Sequence, residues 1–560
     1  MPESKPIHVA IIGAGIGGLT AAVYLQSKLG FYDYTIYERS TDVGGTWRVI
    51  YLDIDLDQRS NDHFSKTLIR GALVISLRTG IHPYPDWEYV WASQSELQKY
   101  WRRVSTKHKL DSHIRYESEM VSAVWDDDKK HYTLVIRNTK THETRKITAQ
   151  IVISATGVLS QPRWPDIPGR ESFSGPMIHA EHWDHTVSLK GKRVALIGNG
   201  CTGSQIVPEI SKDDTMHVTQ FCRTPQWYLP RPQTRVAPWV QWMFRYIPFM
   251  LKGFRWSLAA IFELLYWNMN KGLVGRVVHY GFEKMSIFYT KKMAPAKYHG
   301  QIIPDYPMGC RRIILDPDYL SSLNRPNVEL EWGPISKIVP DGIVTKSGKK
   351  VDVDVICFAT GFEIETSLTL NVTGADGQTL AEYYKKEGGP TGYMGTTIPG
   401  FPNWVTMFGP NTTTGHASVL FAEEMQMDYV VQLLKPILNR QAKSFVPKAE
   451  SSRSWNVWVQ QQLSQKHVWG SCSSWYRAGG QQGKVVALWP GSTTHMWWSL
   501  RKPLLENFEF DGGERLFRGK KSMDFIKFVF WPSALAVVLA TYLKAIQGGS
   551  FSLSQITSFM

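Results

Sequence analysis

Two short runs of consecutive apolar residues each lead straight into a glycine-rich turn and then into residues with helical period. Val9-Ala10-Ile11-Ile12 is followed by Gly13-Ala14-Gly15-Ile16-Gly17-Gly18 and a helical run through Leu25. The same order returns at Val194-Ala195-Leu196-Ile197, Gly198-Asn199-Gly200-Cys201-Thr202-Gly203 and a helical run through Ile210. Four apolar residues without alternation predict a strand buried on both faces. A second strand follows each helix: Tyr34-Thr35-Ile36-Tyr37-Glu38 in the first unit, and Val218-Thr219-Gln220-Phe221-Cys222, closing on Arg223, in the second. From Val121 to Gly157 the polarity alternates around the turn Asp126–Lys130, which predicts strands. That stretch ends in Ile151-Val152-Ile153-Ser154-Ala155-Thr156-Gly157, and a similar phrase recurs at Val355-Ile356-Cys357-Phe358-Ala359-Thr360-Gly361.

The pattern predicts an α/β fold with two Rossmann-like dinucleotide-binding domains, the second inserted within the first. The expected segments are 1–158 and 390–515 for the first domain, and 159–232 and 306–389 for the second. Residues 233–305, rich in Trp, Phe, Leu and Tyr, are expected to form a helical insert over the active site. A membrane hairpin there is disfavoured by Arg245, Lys252 and Arg255.

The turns themselves carry chemistry. In GxGxxG the first glycine allows the tight turn, the second lets backbone approach a pyrophosphate, and the third lets the helix pack closely. Gly13, Gly15 and Gly18 occupy these places in the first unit, and Gly198, Gly200 and Gly203 in the second. Thr202, Ser204 and Gln205 are expected beside the second nucleotide. Glu38 stands where a carboxylate accepts ribose hydroxyls, whereas Arg223 in the matching place suits a 2′-phosphate. The first site is thus expected to hold FAD and the second NADPH.

Composition adds limits. The 560 residues carry a net charge of +14, which suits anionic partners, yet no Lys/Arg run or nucleic-acid motif is present. None of the five cysteines forms a CxxC pair, which argues against a zinc site and against a flavin disulfide reductase. So few cysteines suit a reducing compartment, the cytoplasmic side of a cell, and no signal peptide is read at the start. No metal-ligand cluster and no nucleophile constellation is evident. Within the tail 516–560, Phe528 to Leu543 is uncharged and largely apolar between Lys527 and Lys544, a candidate C-terminal membrane helix or interfacial anchor.

A longer phrase narrows the class. Phe173-Ser174-Gly175-Pro176-Met177-Ile178-His179-Ala180-Glu181-His182-Trp183-Asp184 precedes the second glycine turn. It resembles FxGxxxHxxxW followed by Pro or Asp, the fingerprint of Baeyer–Villiger monooxygenases, with Phe173, Gly175, His179, Trp183 and Asp184 at the marked positions. Flavin monooxygenases that oxidise nitrogen or sulfur resemble it too, but usually carry another aromatic in place of Trp183. Gly44-Gly45-Thr46-Trp47 resembles the family's flavin-contacting segment, and Arg223-Thr224-Pro225 its NADPH-phosphate site. Gly309-Cys310-Arg311-Arg312 resembles a basic pair usually written Lys-Arg. Gly409-Pro410-Asn411, Ser474-Trp475-Tyr476 and Leu488-Trp489-Pro490-Gly491 resemble later family segments. The resemblance implies an enzyme that uses FAD, NADPH and O2 to insert oxygen beside a ketone carbonyl, giving an ester or lactone. It implies FAD contacts at Gly45, Thr46, Trp47 and Val121, and NADPH contacts at Thr224 and Arg311. Arg312 would stabilise the developing oxyanion, and His179 and Trp183 would belong to the linker between nucleotide domains. A bulky secondary metabolite is the expected substrate class, by analogy with fungal relatives. The alternatives are an N- or S-oxygenating flavin enzyme and a non-catalytic dinucleotide-binding membrane protein.

One stretch departs from the family. After Trp47 the pattern continues toward Asn-Thr-Tyr-Pro-Gly and a Cys-Asp pair whose aspartate lies near the catalytic arginine. Arg48 to His82 contains no proline and no such phrase. Yet take Lys66-Thr67-Leu68-Ile69-Arg70-Gly71-Ala72-Leu73-Val74-Ile75, and regroup each codon's third base with the next two bases. Suitable synonymous codons then permit Asn-Thr-Tyr-Pro-Gly-Cys-Ser-Cys-Asp in order. The reading is retained intron sequence followed by the true exon in another frame.

Overall fold

The computed structural model describes residues 6–46, 72–73, 84–231, 235–415, 418–467, 474–479 and 483–513. Trp47, nearly all of the 48–82 stretch and the apolar tail segment 528–543 lie outside the described residues.

The first sheet is built on β1 (Val9–Ile12), which is buried at all four positions. It pairs in parallel with β2 (Tyr34–Tyr37) on one side. Three further strands, β3 (Ile114–Arg115), β7 (Ile151–Ser154) and β13 (Trp404–Thr406), complete the parallel order β13-β7-β1-β2-β3. The antiparallel ladder β4 (Ser118–Asp126), β5 (His131–Asn138) and β6 (Thr144–Ala149) runs between β3 and β7.

The second sheet repeats the plan with β8 (Met177–His179), β9 (Arg193–Ile197), β10 (His217–Cys222), β11 (Val328–Trp332) and β12 (Val355–Phe358). Its order is β8-β12-β9-β10-β11, again parallel throughout. All five strands lie between β7 and β13 in the chain, so the second sheet interrupts the first.

The repeat holds at atomic detail. Gly13 (φ +105°) sits where a Cβ would lie 2.6 Å from the Ala155 carbonyl oxygen, and Gly198 (φ +113°) where it would lie 2.4 Å from that of Ala359. Ala155 and Ala359 belong to the two recurring Ala-Thr-Gly phrases. Each glycine turn is therefore pressed against the residue that follows a neighbouring strand of its own sheet, β7 or β12, at a φ open mainly to glycine.

Helix α1 (Ile16–Leu29) leaves the first turn and α3 (Cys201–Ile210) the second, while α2 (Gln94–Lys107) flanks the first sheet. Helices α4 (Pro238–Tyr246), α5 (Met250–Trp267) and α6 (Leu273–Met293) form most of the insert. Helices α7 (Val419–Leu438), α8 (Ala449–Ser464) and α9 (Thr493–Leu500) follow β13. One large core surrounds the first sheet and takes in α7, a second surrounds the second sheet, and a small one lies beneath the 306–310 loop. Among the described residues no helix is long and apolar enough to cross a membrane.

Candidate active site between two dinucleotide cradles

At the first cradle, Glu38 is buried at the end of β2. Its Oε2 accepts the Ala14 N–H at 2.7 Å and its Oε1 accepts the Ser40 N–H at 2.8 Å. The carboxylate is thus fixed over the glycine turn, and each oxygen keeps a lone pair for a further donor. Gly15 faces Gly45: a Cβ built on Gly45 would lie 2.9 Å from the Gly15 Cα. Thr46 follows directly. This segment is tied down by the Gly44 N–H donating to the Ala14 carbonyl, and by Gln98 of α2 donating to the Val43 carbonyl at 2.6 Å. Arg102 of α2 pairs with Asp42 and, with the Val43 N–H and Gln98, holds that carboxyl below its usual range against the opposing effect of burial. Val121 lies exposed at the bulge of β4, between Met120 and Ser122.

At the second cradle, nothing lies within 4 Å of a Cβ built on Gly200, whereas one on Gly203 would meet the Gly198 carbonyl oxygen at 2.3 Å. The middle glycine therefore opens outward and the third packs inward, as a pyrophosphate-binding turn requires. Thr202 lies in the first turn of α3. Ser204 is fully buried, its hydroxyl beside the Asn199 carbonyl and the Tyr228 hydroxyl, so its side chain braces the turn from the protein side. Gln205 donates to the Cys201 carbonyl, and its buried Oε1 has no hydrogen-bond partner among the described residues. Asn199 donates to the Thr224 carbonyl at 2.8 Å, tying the turn to the loop that carries Arg223.

Arg311 reaches the same place from another part of the chain. Its guanidinium lies 5.5 Å over the Tyr306 ring, and the Tyr306 hydroxyl donates to the Pro225 carbonyl at 2.6 Å. Burial lowers the Arg311 pKa; the Tyr306 side chain opposes this, and neighbouring Arg223 adds to it by repulsion. Arg311 Nε is buried without a hydrogen-bond partner among the described residues. Two converging guanidinium groups with an unused buried donor fit a phosphate between them.

The 306–312 loop is held at several points. Trp227 Nε1 donates to the Tyr306 carbonyl at 2.9 Å, and the Met308 N–H donates to Glu283 of α6 at 3.2 Å. Cys310 is fully buried, and Arg312 is exposed. Tyr476 feels Arg312, Cys201 and its own burial together: burial pushes its hydroxyl up to about 12 while Arg312 pulls it down. Gly415 comes close to the same hydroxyl, since a Cβ there would lie 3.2 Å from it. Arg312, the second glycine turn and the segment leading into α7 therefore converge around Tyr476.

The fingerprint residues lie on and around β8, the edge strand of the second sheet. Phe173 is buried against Ile338 and Ile343, and Gly175 admits its ring, which would lie 2.8 Å from a Cβ. His179 ends β8. Its Nδ1 accepts the Glu181 N–H, and burial with His182 nearby holds the ring down at about 4, so it is neutral at ordinary pH. Trp183 packs in the second core, and Asp184 closes a turn by accepting from Thr186. None of these groups is placed as a base or nucleophile.

Two buried carboxyls, Glu181 and Glu423, carry no sequence signal. Glu181 is pushed up to about 7 by burial, although Arg39 beyond Glu38 pulls it down. Glu423 of α7 is fully enclosed with its Oε1 3.4 Å from where a Gly17 Cβ would lie, at the start of α1. Burial and adjacent Glu424 push it up to about 8, and its Oε2 has no hydrogen-bond partner among the described residues. In the unfolded chain Glu423 ionises near 4.5, so between 4.5 and about 8 the folded state binds more protons. Stability therefore falls as pH rises through that window. Glu423→Gln is expected to raise the unfolding midpoint of flavin-stripped protein above pH 8 and to leave it unchanged below pH 4.5. Calorimetry across pH reads this, and a gain that is equal at every pH would contradict it.

The residues fit the two groups the motifs imply. Facing glycines at Gly15 and Gly45, the open Gly200, Glu38 with spare lone pairs and the Arg223–Arg311 pair match a dinucleotide at each cradle. Among the described residues no group of three or more His, Cys, Asp or Glu could hold a metal.

A family model described as flavin-binding monooxygenase-like matches residues 6–371. A Baeyer–Villiger monooxygenase of Streptomyces coelicolor is 33% identical, with 88% of this chain and 91% of that protein aligned. One from Pseudomonas aeruginosa is also 33% identical, over 88% and 89%. An FAD-binding monooxygenase of Aspergillus niger is 30% identical, over 86% and 78%. Among solved structures, OTEMO in complex with FAD and NADP superposes with a TM-score of 0.75 at 23% identity, covering 91% of this chain and all of that one. Oxidized steroid monooxygenase bound to NADP gives 0.74 at 22% identity, over 91% and 100%.

Proposed function

The chain belongs to the flavin-binding monooxygenase family, among Baeyer–Villiger enzymes, and we propose that it oxidises a bulky apolar ketone to an ester or lactone. It is an NADPH-dependent flavin monooxygenase that uses FAD. The observation that carries the reading of the site is the gathering of Arg312, the second glycine turn and Gly415 around Tyr476, with Arg311 beside Arg223.

When bound, FAD supplies O2 activation and NADPH supplies the hydride that reduces it. The chain's residues hold and orient them. Glu38 accepts the ribose hydroxyls at the first cradle, and the open backbone at Gly15 and Gly200 admits the pyrophosphates. Arg223 and Arg311 clamp the 2′-phosphate. Arg312 keeps a fixed positive charge, with donors in a rigid fork, where negative charge grows on oxygen. The buried loop core of Trp227, Leu229, Tyr306 and Met308 excludes water from one side of it. Neutral His179 and buried Trp183 couple the two nucleotide domains, whose boundaries we place as given above.

Arg223→Ala is expected to lower the preference for NADPH over NADH by roughly 10- to 100-fold, the worth of a lost charged hydrogen bond. Comparing kcat/KM for the two nucleotides reads it, and an unchanged ratio would remove Arg223 from the phosphate site.

The family's Asn-Thr-Tyr-Pro-Gly phrase belongs to the working enzyme in this reading, encoded in another frame across codons 66–75. Sequencing the spliced message there tests it directly. A message encoding Lys66 to Ile75 as written would refute it.

A further inference from the structure

We propose that the α4–α5–α6 insert is a membrane-docking surface, which lays the enzyme on a bilayer containing anionic lipid with the outer faces of α5 and α6 in the headgroup–acyl boundary.

The insert has two apolar faces. Inward, Val240, Phe244, Leu251, Phe254 and Leu258 pack against the core of the first sheet, and Leu265, Phe282 and Ile287 pack beneath the catalytic loop. Yet neither α4 nor α5 contains a fully buried residue. The outer stripe of α5 runs Trp256, Ile261, Leu264, Trp267, at helical spacing on one side, and all four are exposed. Helix α6, packed along α5, presents Leu273, Val277, Tyr280 and Phe288 in the same way. Between α4 and α5, Phe249 is 80% exposed. A water-facing helix normally carries polar residues on this side, and a contiguous exposed apolar face marks an interaction site. Tryptophan and tyrosine on it suit a lipid interface, where one end of the ring is apolar and the other wet.

Charge selects the occupant. Residues 235–293 carry nine Lys and Arg against two Glu. Both carboxylates turn inward: Glu263 accepts from Thr493 and Thr494 of α9, and Glu283 from the Met308 N–H with His279 2.8 Å away. The outer face therefore offers exposed cations, Lys252, Arg276, Lys284, Lys291 and Lys292 among them, and no carboxylate. Apolar stripe, aromatic residues and one-signed basic fringe are the marks of a helix lying in an anionic interface. A second copy would bring the same positive charge against itself. Residues 514–560 are basic too, with six Lys and Arg against two acidic residues. The inner face of the docked insert lies directly under the loop carrying Arg312, so an apolar ketone dissolved in the bilayer would meet the enzyme next to its site.

The test uses the full chain, with vesicles of phosphatidylcholine alone or mixed with phosphatidylserine. Wild type is expected to sediment with the mixed vesicles, and more weakly with phosphatidylcholine alone. The variant Trp256→Gln/Leu264→Gln/Trp267→Gln is expected to bind at least roughly tenfold more weakly, with unchanged circular dichroism. A polarity-sensitive dye on Ser257→Cys, read against wild type treated identically, is expected to shift to the blue on mixed vesicles. Three results overturn the proposal: wild type that stays in solution, vesicle binding that the triple variant retains with no shift at 257, or a vesicle-free dimer that the triple variant dissolves. The second result assigns binding to 514–560, and the third assigns the face to a second copy.

Discussion

Arg312→Ala is expected to keep NADPH binding and flavin reduction while product formation falls by roughly 10²–10³-fold, the scale of a lost oxyanion donor. The split follows from position. Arg311, half-buried over Tyr306 and beside Arg223, is proposed to hold the nucleotide. Arg312, next to Arg311, is exposed and acts on Tyr476. Removing its guanidinium deletes charge where oxygen becomes anionic but leaves the phosphate clamp intact. Stopped-flow reduction and ester yield measured on one preparation separate the two steps. Equal losses in both would mean that Arg312 serves the nucleotide, and normal ester yield would remove it from the chemistry.

Gly18→Ala is expected to abolish flavin retention. A Cβ there would lie 1.8 Å from the Gly13 carbonyl oxygen, which is backbone inside the turn and cannot swing aside. Overpacking of this kind costs about 1–3 kcal/mol, occasionally more, and here it deforms the surface that cradles the pyrophosphate. Gly15→Ala makes the instructive contrast, because its Cβ would lie 3.5 Å from the Gly45 Cα, an ordinary contact. That variant is expected to fold with normal thermal stability and still bind FAD poorly, because the methyl group occupies the cradle. Flavin content and unfolding midpoint, measured together, distinguish a broken turn from a blocked one. A Gly18→Ala protein with full flavin would show that the turn is not the binding site.

The repeat was legible in the sequence because its physics is local. Four unbroken apolar residues must be buried, three spaced glycines must turn, and the structure places both units alike, down to the matching approaches of Ala155 and Ala359. Glu38 and Arg223 could be assigned because each closes a strand at a fixed distance from its glycines. The supports of the Arg312 loop were not legible. Glu283 comes from α6, while Pro225 and Trp227 share one segment after β10 about eighty residues before the loop, and only tertiary packing unites them with it. Glu423 and Glu181 gave no signal, since a carboxyl on a helix or linker reads as solvated until burial is known. The insert was legible on one face alone. Its aromatic content suggested a cover over the site, and its inner face does pack there. Helical periodicity cannot reveal which side faces out when apolar residues lie on both faces and cations are scattered between them.

The central claim is that one chain joins an NADPH site to a flavin that oxygenates a ketone. The most direct measurement takes the FAD-loaded protein, adds NADPH without oxygen while recording the visible spectrum, and then admits isotopically labelled O2 with a panel of bulky ketones. The expected result is a flavin band that bleaches faster with NADPH than with NADH, then an ester or lactone carrying one labelled oxygen atom. A flavin that NADPH leaves oxidised, or label that appears only on nitrogen or sulfur substrates, would contradict it.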